Sequence, residues 1–144
     1  MRYRHQRFSK FTGTKKAAAK KLDKLARTVD GIVFDSISEA NYYKLLRFEK
    51  RPVDIQVPVR CEVNGACVTV YKFDFYLRDT GQYVEYKGHH WEEQSKIRFK
   101  LALAVLGEPV IVRTQDSEHV VRIKENGRLA CLEGDKWRPY RWGE

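Results

Sequence analysis

Two apolar segments with alternating side chains, joined by a short turn signal, constrain the fold of this chain more than any other feature. The first segment ends in Lys72-Phe73-Asp74-Phe75 and the second reads Tyr83-Val84-Glu85-Tyr86-Lys87-Gly88, with Arg78-Asp79-Thr80-Gly81 between them. This pattern predicts an antiparallel β-hairpin. Because successive side chains of a strand point to opposite faces, we expect Glu85 and Lys87 to share one face.

Asp74 is the unusual residue of the first segment. Strict alternation predicts that Asp74 projects opposite to a face shared by Thr69, Tyr71, Phe73, Phe75 and Leu77. Aspartate is a poor strand former, so its position between two aromatic residues indicates a functional reason. Antiparallel pairing would bring Asp74 near Glu85 and Lys87. Two carboxylates and an ammonium gathered on one patch are what a divalent-metal phosphodiesterase needs.

The N-terminal part of the chain is predicted to form two helices, separated by a short extended segment. Met1 to Thr14 is expected to be irregular, and Lys15 to Arg27 is rich in Ala, Lys and Leu, which favours helix. The segment Val29 to Phe34 predicts a short strand or turn. Ser36-Ile37-Ser38-Glu39 matches a capping box, so a helix should run from about Ile37 to Lys50.

The C-terminal part predicts further strands around one helix. Asn64-Gly65 is a strong hairpin signal between strands at Gln56–Glu62 and Ala66–Leu77. A helix is predicted from Trp91 to Leu106, with its core-facing stripe at Ile97, Leu101, Ala104 and Val105. Pro109 to Arg113 predicts a buried strand, and a small β-meander should follow Ser117. This order of elements predicts an α/β fold with a mixed sheet and helices packed on it.

Length and composition predict one domain of an ordinary soluble protein. The chain has 144 residues and no apolar run long enough to span a bilayer, and its N-terminus lacks the apolar stretch of a signal peptide. Its cysteines form no disulfide or zinc pattern: Cys61, Cys67 and Cys131. We therefore expect a reducing, cytoplasmic location and no membrane partner.

The positive charge is confined to an N-terminal arm, residues 1–28. This arm holds ten Lys/Arg and one acidic residue, whereas residues 29–144 hold eighteen basic and eighteen acidic residues. Residues 29–144 are predicted to form the folded domain. Such an arm can follow a phosphate backbone, and a solvated basic tail is the alternative. The lysines expected to contact DNA are Lys15, Lys16 and Lys20. A metal site in the same chain favours the nucleic-acid interpretation.

The hairpin carboxylates suit a hard divalent cation. Magnesium takes oxygen ligands and needs only one or two carboxylates, which Asp74 and Glu85 could supply with the backbone carbonyl of Tyr86. The cation would activate a water and polarise a phosphate, while Lys87 would offset the charge that develops. The alternative is that Glu85 and Lys87 form an exposed ion pair of little energetic weight.

Several other polar residues have two open interpretations. Glu39 could satisfy a backbone donor in the capping box, or it could serve as a second-metal or water-bridged ligand, because it shares a stripe with Tyr42, Tyr43 and Leu46. Gln94 could contact phosphate or the attacking water, although a boundary polar role is favoured. Lys96 and Arg98 could contact phosphate or solvent equally well.

The motif residues resemble a known nuclease superfamily. Glu39, Asp74 and Glu85-Tyr86-Lys87, on a helix and two strands, resemble the PD-(D/E)xK nucleases, although Phe73 replaces the proline of that name. The stretch from Val29 to Arg113 resembles a phage-encoded family within it. That resemblance rests on Asp30-Gly31-Ile32-Val33-Phe34-Asp35-Ser36, Glu39-Ala40, Asp74-Phe75 and Val84-Glu85-Tyr86-Lys87-Gly88. The spacing is also similar to that of phage endonuclease I-type Holliday junction resolvases.

The resemblance carries specific implications. It implies a restriction-endonuclease-like central mixed β-sheet flanked by helices, with its core at 29–113 and a C-terminal extension at 114–144. It implies metal ligands at Asp74 and Glu85, a carboxylate at Glu39 that is linked to the metal or supports its ligands, and a catalytic lysine at Lys87. A homodimer is also implied, since a resolvase cuts two strands at symmetric points.

The leading hypothesis is a DNA endonuclease that depends on Mg²⁺, with Mn²⁺ as a possible substitute, and acts on four-way junctions. Alternatives within the superfamily are restriction-like, repair or nicking nucleases. A non-catalytic nucleic-acid-binding protein is a further alternative, but the intact set of Glu39, Asp74, Glu85 and Lys87 argues against it. A basic structural or packaging protein would leave Asp74 unexplained.

Overall fold

The computed structural model describes residues 9–144, with side chains from residue 15 onward. Residues 1–8 of the predicted arm lie outside the described residues. The chain forms two compact units, of which the first extends to Glu49 and the second comprises Lys50–Glu144. Within the described residues, no helix is both long and apolar enough to span a membrane.

The first unit contains two helices and a very short hairpin: α1 (Ser9–Ala26), β1 (Thr28–Val29), β2 (Ile32–Val33) and α2 (Ile37–Phe48). The expectation of irregular structure up to Thr14 is wrong for residues 9–14, which belong to α1. Weak helix formers such as those at Thr12-Gly13-Thr14 lower helix stability, but they do not end a helix as proline does.

Helix α2 begins where the capping box predicts. The side chain of Ser36 accepts a hydrogen bond from the backbone N–H of Glu39 at 3.1 Å, which satisfies one donor of the first turn. The Tyr43 hydroxyl lies 3.2 Å from Oδ2 of Asp30, in the β1–β2 turn, and its ring contacts Phe34. These contacts fix α2 against the short hairpin.

The second unit is a seven-stranded sheet with one helix packed on it. Its elements are β3 (Val53–Val63), β4 (Ala66–Leu77), β5 (Gln82–Tyr86), α3 (Glu93–Leu106), β6 (Val110–Arg113), β7 (Glu118–Ile123), β8 (Leu129–Glu133) and β9 (Lys136–Pro139). The strands lie in sequence order from β3 to β9. Only β5 and β6 are parallel, with α3 connecting them, and every other pair is antiparallel. The prediction of an α/β chain with a mixed sheet is confirmed at this level.

The predicted turns and the C-terminal meander are present. Asn64 and Gly65 both have positive φ, 51° and 81°, as a two-residue hairpin turn requires. The Gly81 N–H donates to the carbonyl of Leu77 in the turn between β4 and β5. The meander of β7, β8 and β9 continues the same sheet rather than forming a separate layer.

The core face of α3 differs from the predicted stripe. The buried residues of α3 are Phe99, Ala102 and Leu103, whereas Ile97 is 69% exposed and Val105 is 40% exposed. Phe99 faces inward because its ring packs among the rings of Trp91, Tyr71 and Phe73. The predicted stripe that begins at Ile97 is therefore wrong.

The side chains of β4 alternate regularly between the two faces of the sheet only up to Asp74, and the residues after this phase change occupy the faces opposite to those expected. The ring of Tyr83 contacts both Phe73, at 5.0 Å, and Tyr76, at 4.8 Å, although residues three apart on a regular strand face opposite sides. Across β3, Gln56 lies between the pairs Ile55↔Phe75 and Val57↔Phe73, and its φ of 51° is left-handed. The expectation that Tyr71, Phe73, Phe75 and Leu77 share one face is therefore wrong beyond Phe73.

Candidate active site

Asp74 lies where the ladder between β4 and β5 ends. The last ladder pair is Phe75↔Val84, so Asp74 and Glu85 occupy the next positions along the two strands. There, Oδ2 of Asp74 accepts a hydrogen bond from the backbone N–H of Tyr86 at 2.7 Å. A carboxylate is a strong acceptor for a backbone donor that lies beyond the last β4–β5 pair. The side chain of Asp74 is thereby fixed to the strand that carries Glu85.

Glu85 is a buried carboxylate with polar neighbours. It is 5% exposed, and it accepts a hydrogen bond from the hydroxyl of Tyr71. Burial, followed by the negative charge of Glu85 and a smaller effect of Asp74, raises the pKa of Tyr71 well above its usual range. Tyr71 therefore remains a protonated donor, which helps to offset the cost of burying the Glu85 charge.

Lys87 follows β5 and lies beside Glu85. Its backbone N–H donates to the carbonyl of Arg113 at 2.9 Å, which extends the pairing of β5 with β6 by one residue. Its Nζ lies 3.8 Å from Oε1 of Glu85 and 5.1 Å from the centroid of the Trp91 ring. The prediction that Glu85 and Lys87 share a face is confirmed. Glu85 is nearly inaccessible, so the pair is not the fully exposed ion pair of the alternative interpretation.

The phase change at Asp74 explains how Tyr71 reaches Glu85. In the parallel register of β5 and β6, Glu85 pairs with Val112, and Val112 belongs to the same buried cluster as Tyr71 and Phe73. Glu85 therefore projects to the face of the sheet that α3 covers. Tyr71 was not predicted as a partner of Glu85, because regular alternation places Tyr71 on the face opposite to Asp74.

Glu39 belongs to the first unit. Its side chain is 2% exposed, and a carboxylate oxygen lies within 4.8 Å of one on Asp35. In the sequence, Asp35 was named only as part of the segment Asp30–Ser36 that carries the family resemblance. The available signal was the spacing, since carboxylates at positions 35 and 39 flank the first turn of α2. A metal-linked role for Glu39 remains a prediction.

The residues expected to contact DNA lie on two helices. On α3, Gln94 is exposed, Nζ of Lys96 donates to Glu93 at 2.8 Å, and Nη2 of Arg98 donates to the carbonyl of Val70 at 2.9 Å. On α1 of the first unit, the predicted lysines are all exposed: Lys15, Lys16 and Lys20. Contacts of these residues with DNA remain predictions.

The donor set of the second unit suits a hard cation. Asp74 and Glu85 supply carboxylate oxygens from neighbouring strands, and the predicted third ligand is the backbone carbonyl of Tyr86. Magnesium and manganese favour oxygen donors and keep several waters, so two carboxylates suffice. The buried carboxylate of Glu85 lies beside the ammonium of Lys87. Such an arrangement is typical of a site that holds charged groups away from bulk water.

Comparison of this chain with protein-family models, with curated proteins and with solved structures gives no match. The resemblance to PD-(D/E)xK nucleases therefore rests on the motif residues alone.

Proposed function

We propose that this chain is a Mg²⁺- or Mn²⁺-dependent DNA endonuclease with a restriction-endonuclease-like fold that hydrolyses phosphodiester bonds. The observation that carries the proposal is the buried carboxylate of Glu85, which contacts Tyr71 and Lys87 beside the strand position of Asp74. A structural ion pair does not need this burial, because exposed pairs form at little cost.

The chemistry assigns a role to each side chain. Asp74 and Glu85 would hold the cation, which would polarise the scissile phosphate and lower the pKa of an attacking water. Tyr71 donates to Glu85 and keeps that carboxylate oriented. The ammonium of Lys87 offsets negative charge that develops on the phosphate oxygens, which is worth most where water is excluded. Glu39 is proposed as a further metal-linked carboxylate.

A branched DNA substrate follows from the motif resemblance. The proposed specialisation is cleavage of four-way junctions by a homodimer, with the basic N-terminal arm following the phosphate backbone. The exposed lysines of α1 suit that role, because phosphate contacts require accessible cations. Other nucleases of the same superfamily would share the site and differ in the DNA that they cut.

The direct test incubates the protein with labelled four-way junctions, forks and linear duplex in Mg²⁺, Mn²⁺ or EDTA. We expect paired symmetric incisions on the junction in either metal and none in EDTA. Equal cutting of duplex would replace the junction proposal with a general nuclease. Binding without cutting in every metal would overturn the enzymatic proposal in favour of a binding protein.

Matched variants localise the activity. We expect Glu85→Gln and Lys87→Ala each to reduce cleavage by about 100-fold or more while junction affinity changes little. The controls are Glu62→Gln and Lys136→Ala, which alter exposed charged residues on β3 and β9. Normal cleavage by either site variant would refute the assignment of that residue.

A further inference from the structure

The loop after Lys87 and the C-terminal segment of the chain pack on each other. The ring of Trp91 is buried, and it lies 4.8 Å from the ring of Trp142 and 5.0 Å from that of Phe99. The face of Trp91 also lies under the ammonium of Lys87, at 5.1 Å. A chain of contacts thus runs from the candidate catalytic lysine to the end of the described chain.

The position of Trp142 is set by its neighbour Gly143. A Cβ atom added to Gly143 would lie 2.3 Å from the backbone oxygen of His89, and the φ of Gly143 is 88°. Nδ1 of His89 lies 2.9 Å from the Gly143 carbonyl oxygen, within hydrogen-bond distance. Only glycine allows this close approach without strain, so the segment is fitted to the loop that follows Lys87.

The C-terminal segment is also anchored to the sheet. The backbone N–H of Tyr140 donates to the carbonyl of Leu129 on β8 at 3.1 Å. The guanidinium of Arg138 makes two hydrogen bonds to the carboxylate of Glu144, at 2.7 and 3.1 Å. These contacts hold Trp142 between two fixed points, and Trp142 in turn supports Trp91.

Lys87 needs such support. A lysine side chain has several rotatable bonds and no rigid geometry of its own. Its side chain is 31% exposed, and the contact with Glu85 is long at 3.8 Å. An aromatic face under a cation supplies an attraction that depends on the orientation of the ring. The ring of Trp91 therefore limits where the ammonium can lie.

We propose that Trp91 is a positioning residue for Lys87, and that Trp142 and Gly143 hold Trp91 in place. This inference rests on the proposed nuclease function, and it assigns a role in the reaction to the C-terminal segment through its contact with Trp91. Loss of the Trp91 ring should slow the chemical step and leave DNA affinity almost unchanged.

The test compares full-length Trp91→Leu, Trp91→Phe, Gly143→Ala and wild type in single-turnover junction cleavage well below their melting temperatures. We expect cleavage to slow about 10-fold in Trp91→Leu and Gly143→Ala, with affinity within about 2-fold of wild type. Trp91→Phe should restore part of the rate because it keeps an aromatic face. The control is Trp137→Leu, which removes the aromatic partner of Arg122, at 4.1 Å, elsewhere in the sheet.

A second measurement does not depend on cleavage. The side-chain protons of Lys87 should show a ring-current shift in the wild-type NMR spectrum that disappears in Trp91→Leu and persists in Trp137→Leu. If wild type cuts no DNA but this pattern holds, the nuclease proposal fails and the contact stands. If the Lys87 signals are identical in wild type and Trp91→Leu, or if Trp91→Leu cleaves normally, the positioning role is wrong. An equal rate loss in Trp137→Leu would also overturn it.

Discussion

The carboxylate of Asp74 accepts a hydrogen bond from the backbone N–H of Tyr86 at 2.7 Å, across the point where β4 and β5 separate. This contact gives Asp74 two roles. It satisfies a backbone donor that lies beyond the last pair of the β4–β5 ladder, and it fixes an anionic group beside Glu85. The two roles can be separated by substitution.

Asp74→Asn should abolish cleavage while it preserves the fold. An amide oxygen can still accept from the Tyr86 N–H, but the negative charge that holds a cation is removed. We expect a loss of about 100-fold or more in single-turnover cleavage and a change in unfolding free energy below about 1 kcal/mol.

Asp74→Ala is the matched variant that removes both roles. It leaves the Tyr86 N–H without its acceptor, so urea unfolding should show a further loss of about 1–3 kcal/mol. Wild-type cleavage by Asp74→Asn would contradict the ligand assignment. Equal stability of the Asn and Ala variants would contradict the structural role.

Tyr71→Phe should weaken metal binding with little loss of packing. The variant keeps the ring contact with Phe73, at 4.8 Å, and removes the hydroxyl that donates to Glu85. Groups that orient a ligand typically change metal affinity by about 10- to 100-fold. A Mn²⁺ titration of cleavage, supported by electron paramagnetic resonance of bound Mn²⁺, measures the change. Tyr83→Phe is the control, because its ring packs on Phe73 and Tyr76.

Turn and cap chemistry made parts of this structure predictable. Asn64-Gly65 and the Ser36 cap each act through a few adjacent residues, so their sequence signals hold without tertiary information. The phase change at Asp74 has no such signal. It coincides with the left-handed backbone of Gln56 across the ladder, and glutamine is not a residue that predicts this conformation. The Tyr71–Glu85 contact depends on that change and was therefore missed.

Helix α3 shows a second limit of sequence patterns. Every residue from Phe99 to Leu106 except Lys100 is apolar, so two different stripes fit a helical period. The structure selects Phe99 because Trp91 and the aromatic residues of β4 form its pocket. Such a choice depends on residues distant in sequence. Asp74 was found as a candidate because aspartate is unusual in a strand, whatever face it occupies.

Replacing Phe99 or Ile97 by alanine should show which face of α3 packs against the core. Phe99→Ala removes a fully buried ring and should lower the unfolding free energy by about 3–5 kcal/mol. Ile97 is 69% exposed, so Ile97→Ala should change the unfolding free energy by less than about 0.5 kcal/mol. Urea unfolding followed by circular dichroism measures both. Comparable losses in the two variants would contradict the observed core face.

Exposed lysines of α1 should account for part of the salt dependence of DNA binding. Replacing Lys15, Lys16 and Lys20 by Gln should make the plot of log affinity against log salt shallower, by about 0.9 for each phosphate that the variant no longer neutralises. The control replaces three other exposed lysines with the same change of charge: Lys44, Lys124 and Lys136. Equal slopes for the two triple variants would show that the predicted arm has no special role.

Tyr140 should make stability fall in alkaline solution. Its side chain is buried, and burial, with the charges of Glu144 and Cys131, raises its pKa to about 12 from an ordinary value of 10.0. The unfolded chain therefore loses this proton first, so the contribution to stability is complete below about pH 10 and disappears as pH rises towards 12. At about 1.4 kcal/mol per pKa unit, the complete loss above pH 12 should be about 3 kcal/mol. Urea unfolding from pH 8 to 11 should show a smaller decline in unfolding free energy for Tyr140→Phe than for wild type. Parallel plots of unfolding free energy against pH would show that Tyr140 does not cause the decline.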